Sequence, residues 1–226
     1  MTKEIVALAG DGIGPEIMEL VSKCWLLLRT SSVYLSYHGE SFGGAGIDAE
    51  GHPLPQSTLE AAKEADAILL AAIGSPQYDN APVRPEQGLL ALRKELELYA
   101  NIRPVKIFDA LKHLSPLKEK RIAGVDFVVA RELTGGIYFG EHILEDKSAR
   151  DINDYSYEEV ERIVRKAFDI ARGRRKRVTS IDKQNVLATS KLWRRVADEV
   201  AKDLSRCDLG APAGGQRCDD YDYQSC

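Results

Sequence analysis

A short apolar run at residues 4–9 stops abruptly at Gly10-Asp11-Gly12-Ile13-Gly14-Pro15-Glu16. Glycines so closely spaced let the backbone turn where side chains would collide. Pro15 follows where a helix can start, because the first helical turn does not need its missing N–H. Ile17, Leu20 and Val21 then recur at helical spacing. Strand, tight turn and helix in that order are the opening of an α/β chain.

The alternation continues downstream. Residues 57–66 are expected to be helical with Ser57 as N-cap, and 67–73 to be a buried strand closed by Gly74-Ser75-Pro76. A helix is expected at 88–98, an extended segment at 102–105 around Pro104, and a β-rich run at 127–131 that breaks at Gly135-Gly136. Residues 157–172 form an amphipathic helix with Val160, Ile163, Val164, Ala167 and Ile170 on one face. A strand at 177–181 and a helix at 190–204, capped by Ser190, complete the pattern. Two stretches fall outside it. Residues 24–41 are apolar and then Ser/Tyr-rich. Residues 204–226, with Gly210-Ala211-Pro212-Ala213-Gly214-Gly215 before an Asp/Tyr run, read as a disordered tail.

With 226 residues, 44% hydrophobic and 29% charged, the chain can bury one large core or two smaller ones. A net charge of -4 gives no pull toward nucleic acid or anionic membranes. The basic run at 172–177 suits the closing of a helix C-terminus. No apolar stretch approaches the roughly 18 residues of a membrane span, and the N-terminus lacks a signal-peptide core. Cys24, Cys207, Cys218 and Cys226 form no CxxC pair, so free thiols in the cytoplasm are expected.

Three places could carry chemistry. The turn at Gly10–Gly14 lacks the third glycine of a dinucleotide fingerprint, and alone it suits a structural turn as well as a cofactor contact. In the second, helical spacing sets Glu86, Leu89, Leu90 and Arg93 on one face or its edges, with Arg103 and Arg131 following at element ends. Guanidinium forks bind carboxylates bidentately, which suits a small di-acid. From spacing alone, surface ion pairs are the more ordinary account. The third is Lys183, in a polar turn between the expected strand and helix. Burial or nearby cations would make it a general base, whereas in isolation a solvated lysine is the usual case.

Together, GDGIGPE, GLLALRKEL-x-LYANIRPVK, RELTGGIYFGE and VTSIDKQNVL closely resemble the β-decarboxylating dehydrogenases, the family of isocitrate, isopropylmalate and tartrate dehydrogenases. The resemblance covers residues 1–23 and about 42–203. It implies an incomplete two-domain α/β fold: residues 1–99 on the cofactor side, 100–203 as the substrate and dimer-forming part, and 204–226 as an aberrant tail. It implies NAD, Mg²⁺ or Mn²⁺, and a homodimer in which Lys183 serves the neighbouring subunit's site. Arg93, Arg103 and Arg131 would hold the malate carboxylates and hydroxyl. Lys183 would remove a proton, and Tyr138 would protonate the enolate. Ile73, Gly74, Ser75, Pro76, Gln77, Tyr78, Asp79 and Glu86 would meet NAD, with Ser75 standing where many relatives have glycine.

Leu89 and Leu90 favour 3-isopropylmalate as substrate. Each methyl-sized group they bury contributes about 0.8 kcal/mol. A third carboxylate left unpaired against them would cost several kcal/mol. The expected reaction is oxidative decarboxylation to 4-methyl-2-oxopentanoate, in leucine biosynthesis. Tartrate, homoisocitrate or isocitrate as substrate, or an inactive fragment, are the alternatives. The family's three metal-binding aspartates have no counterpart here, since Asp208, Asp219, Asp220 and Asp222 lie in no matching motif. Little or no turnover by this chain alone is therefore expected. A frameshift after Asp203, natural or from sequencing, is the expected origin of the tail, because synonymous codons can be chosen that, read one base later, spell family-like text.

Overall fold

The computed structural model describes residues 2–27, 34–207 and 224–225. They fall into two compact units, Met1–Glu97 and Leu98–Cys226.

The first unit is built on β1 (Thr2–Gly10), the centre of a three-stranded parallel sheet. Its neighbours are β2 (Tyr34–Glu40) and β3 (Ala67–Ala72). A central parallel strand is covered on both faces, so its residues are apolar without alternation; Ile5, Val6, Ala7 and Leu8 are all buried. The turn read from the glycines leads into α1 (Gly14–Leu27). Then come α2 (Gly44–Glu50), α3 (Gln56–Glu64) and α4 (Pro85–Glu95). Leu59 and Ala62 of α3 and Leu92 of α4 close on Val6, Leu8, Phe42 and Leu54 to form one core.

Two details correct the reading above. Ser57 is not an N-cap, because Pro55 occupies that position in an extended conformation and α3 begins at Gln56. The helix expected at 88–98 starts three residues earlier, since Pro85 takes its first position and the Arg84 N–H donates to Gln87 Oε1 at 3.3 Å. It stops at Glu95, and Glu97 is left-handed at φ 51°. Within 24–41, α1 reaches Leu27 and β2 begins at Tyr34; residues 28–33 lie outside the described residues. Cys24 is free and exposed.

In the second unit, β4 (Ala100–Lys106) and β5 (Asp126–Glu132) form an antiparallel pair, with α5 (Glu119–Ile122) between them in sequence. A ribbon follows, β6 (His142–Leu144) against β7 (Ala149–Asp151). The core lies between α6 (Tyr157–Arg172) and α7 (Ala188–Cys207), where Val160, Ile163, Val164 and Phe168 meet Val196, Ala197 and Val200. Ser156 caps α6 reciprocally with Glu159.

The strand expected at 177–181 is only β8 (Ile181–Asp182), paired with β9 (Gln224–Ser225). Residues 177–180 have one inward apolar group, Val178, and join no strand ladder among the described residues. Nor does Ser190 cap α7, which begins two residues earlier. Its hydroxyl instead accepts the Lys183 N–H at 3.1 Å. The expected tail overlaps the last turn of α7, and residues 208–223 and 226 lie outside the described residues. No helix among the described residues is long and apolar enough to cross a membrane.

Candidate active site

In the first unit the expected cofactor residues gather where β1 and β3 end. The Asp11 N–H donates to the Ala72 carbonyl at 3.1 Å, locking the glycine turn onto the end of β3. The next exposed backbone is Gly74, at φ 100°, and an added Cβ would come within 3.1 Å of Glu86 Oε1. Gly74 and Glu86, twelve positions apart, are thus brought together as bare backbone beside a carboxylate. Such a carboxylate can accept hydrogen bonds from ribose hydroxyls, so these residues fit one edge of a dinucleotide.

The rest of the stretch divides. Ser75 opens a tight turn that continues through Pro76, Gln77 and Tyr78, with the Tyr78 N–H on the Ser75 carbonyl at 2.9 Å. Pro76, Gln77 and Asp79 are exposed. Ile73 packs against the core, and the Tyr78 side chain is buried, its hydroxyl donating to the Gly44 carbonyl at 3.0 Å. Burial pushes the Tyr78 phenol up, and Asp48 and Asp11 nearby add to it. These two side chains brace the unit; they do not line an open surface.

On α4, residues 86, 90 and 93 follow one another at i, i+4 and i+7 and so share a stripe. Glu86, Leu90 and Arg93 therefore stand together. Leu89, at i+3 from Glu86, lies on the edge of that stripe nearer the core, which it packs against with Leu92. Both leucines are half-buried, and Leu89 is the one that packs against the core.

In the second unit, the register sets Asn101 opposite Arg131 and Arg103 opposite Val129. Opposite residues of an antiparallel pair share a face, so Arg103 and Arg131 project on one face as diagonal neighbours, both exposed. Arg103 Nε donates to Asn101 Oδ1 at 2.7 Å, which aims the guanidinium along that face. The Arg131 guanidinium lies 5.1 Å from the centre of the Tyr138 ring. Tyr138 ends the short helical turn Gly136–Tyr138 that follows the Gly135-Gly136 break. Two of the expected residues are thus joined face to cation. Lys183 stands on another segment of this unit, exposed in the turn between β8 and α7.

Sequence reasoning missed Glu132, a carboxylate with no exposed side-chain surface, and its partner Arg162 at 2.6 Å. The signal was available. Glu132 follows Arg131 in a strand and must face the other way, and an inward carboxylate requires donors. Among the described residues, no group of three or more His, Cys, Asp or Glu side chains is placed to hold a metal ion.

The family model for isocitrate/isopropylmalate dehydrogenase matches residues 4–219. The chain is 74% identical over 207 residues to 3-isopropylmalate dehydrogenase of Streptococcus thermophilus, covering 90% of this chain and 59% of that protein. It is 61% identical to the Lactococcus lactis 3-isopropylmalate dehydrogenase, again over 90% of this chain and 59% of the relative. Among solved structures, it resembles isocitrate dehydrogenase from Methylococcus capsulatus with TM-score 0.72 and 28% identity, over 99% of this chain and 60% of that one. It also resembles a β-decarboxylating dehydrogenase from Thermococcus kodakarensis with TM-score 0.68 and 29% identity, over 99% and 57%. The chain spans about three-fifths of the length of the curated relatives it matches, 59% for the first. It belongs to the isocitrate/isopropylmalate dehydrogenase family.

Proposed function

We propose that this chain carries the dicarboxylate-binding and proton-transfer residues of an NAD-dependent 3-isopropylmalate dehydrogenase of leucine biosynthesis, working as a cytoplasmic homodimer. The observation that carries the reading is the Arg131–Tyr138 pair, a carboxylate-binding cation held 5.1 Å from a phenol ring. The identity to named 3-isopropylmalate dehydrogenases supports it.

Arg103 and Arg131 offer forked donors to the two carboxylates of a malate. Leu90, on the stripe with Glu86 and Arg93, meets the isopropyl group. Lys183, supplied by the second copy, takes the hydroxyl proton as the carbinol carbon loses its hydride. The nicotinamide of bound NAD supplies the hydride acceptor, and Gly74, Ser75 and Glu86 would hold that cofactor. The β-keto acid then loses carbon dioxide, leaving its electron pair on an enolate, and Tyr138 returns a proton to carbon. The described residues do not fit a divalent metal, and no step here runs through one. A two-stranded ribbon alone is marginal in water. The β6–β7 ribbon, with Leu144 87% exposed, gains cover from a second copy.

Titration calorimetry on the purified 226-residue chain tests the reading. 3-Isopropylmalate binds more tightly than isocitrate, and Arg131→Lys weakens it by about tenfold or more, since a single ammonium cannot replace the fork. Tighter binding of isocitrate would overturn the substrate assignment. Binding of neither acid would favour an inert family fragment.

A further inference from the structure

β5 ends in two residues that leave on opposite faces: Arg131 toward Arg103, and Glu132 into the unit. A buried carboxylate destabilises a fold unless its lone pairs find donors. Glu132 finds four. It accepts from the Thr134 N–H at 2.7 Å, the Thr134 hydroxyl at 2.8 Å, the Gly135 N–H at 2.7 Å and Arg162 Nη2 at 2.6 Å. Arg162 Nη2 donates also to the Thr134 hydroxyl oxygen, and its guanidinium lies 4.8 Å from the Tyr99 ring centre.

The turn is closed from the other side as well. The Gly136 N–H donates to the Asp154 carbonyl at 2.7 Å. The Glu159 carboxylate and the Tyr155 hydroxyl press so closely on Gly135 and Gly136 that neither position has room for a Cβ. Tyr155 is itself held edge-on by Trp193, at 5.2 Å between ring centres. The residues that leave this clamped turn are those that deliver Tyr138 to Arg131.

We infer that Glu132 and Arg162 are positioning residues: a buried charged clip that fixes the Thr134–Gly136 turn and so sets where Tyr138 stands against Arg131. The inference rests on the reading of Tyr138 and Arg131 as site residues. The clip acts through the turn and through Arg131's own strand, so one carboxylate governs both members of the pair. Packing alone does not call for such a device, because an apolar pair of similar volume fills a buried site at lower desolvation cost.

Three variants of the full chain, carrying isotope-labelled tyrosine, test the clip by NMR, with the Tyr138 signals assigned through Tyr138→Phe. Glu132→Gln sets an amide N–H₂ where a donor now points, Thr134→Val removes the hydroxyl at nearly constant volume, and Thr134→Ser restores it. The Tyr138 ring signals move or broaden in Glu132→Gln and Thr134→Val and return in Thr134→Ser, while those of Tyr37 and Tyr157 stay in place. The dissociation constant for 3-isopropylmalate rises about tenfold in the first two variants and not in the third. Unmoved Tyr138 signals in folded Glu132→Gln and Thr134→Val overturn the clip. Should Glu132→Gln not fold, the Thr134 pair decides. Selective movement of Tyr138 in a chain that binds no 3-isopropylmalate even as wild type leaves the clip standing and removes the substrate reading instead.

Discussion

The two units fix their candidate residues by opposite means. In Met1–Glu97 it is the bareness of the backbone: Gly10 and Gly14 sit so close to the carbonyls of Ala72 and Ala9 that a Cβ at either would overlap them. In Leu98–Cys226 it is a set of charged side chains, with Glu132, Arg162 and Glu159 gripping a turn that packing alone would not orient. Steric contacts of the first kind are indifferent to pH and salt. Polar contacts of the second kind are directional, and they depend on paired charge and donors. The difference teaches where each unit is vulnerable: one to added volume, the other to lost charge.

The largest effect follows from adding volume to the first unit. Gly10 has φ 72° and its missing Cβ would strike the Ala72 carbonyl. Gly10→Ala is expected to destabilise by about 4 kcal/mol, the sum of a left-handed alanine and an overpacked contact. Gly51, at φ 73°, has nothing within 4 Å of that position, so Gly51→Ala isolates the backbone term at about 1 kcal/mol. Urea unfolding of the two variants measures both, and equal losses would show that close approach contributes nothing.

In the second unit the matching change removes a polar contact. Glu159 accepts the Ser156 N–H at 2.8 Å while its carboxylate packs on Gly135. Glu159→Ala is expected to cost about 1 kcal/mol, the value of a helix cap. Amide exchange should rise at the first turn of α6 and at Gly135. A loss spread evenly over the unit would contradict the local account.

Much of this contrast was legible in the chain. The β1 turn could be read because glycine and proline act locally, and α6 because its apolar spacing extends over four turns. Arg103 and Arg131 could be named as candidates, but their shared face depends on strand register, which no local pattern reveals. Leu89 and Leu90 look equivalent in sequence, and that Leu89 packs against the core depends on contacts far along the chain. Ser57 misled because Pro55 takes the N-cap position of α3 ahead of it, and Ser190 because α7 begins two residues before it, at Ala188. Strand alternation turns Glu132 inward, but its partner Arg162 lies thirty positions away, so spacing could not name it.

The smallest effect separates the units by pH. His142 of β6 meets Asp151 of β7 at 2.6 Å, and this hydrogen bond, aided by the Tyr138 carbonyl, raises the imidazole above its ordinary value. The folded pKa therefore exceeds the unfolded one. The stabilisation is whole below the ordinary histidine value of 6.5 and is lost as pH rises from there through the raised value. Because both side chains are exposed, the effect on global unfolding is slight. It is best read as an NMR titration of His142 together with amide exchange in β6 and β7, corrected for intrinsic rates. Asp151→Asn should return the imidazole toward 6.5 and abolish the extra protection of the ribbon at low pH. The Gly10–Ala72 contact holds no titratable atom and should show no change across the same range. If both regions responded alike, the division between steric and electrostatic construction would fail.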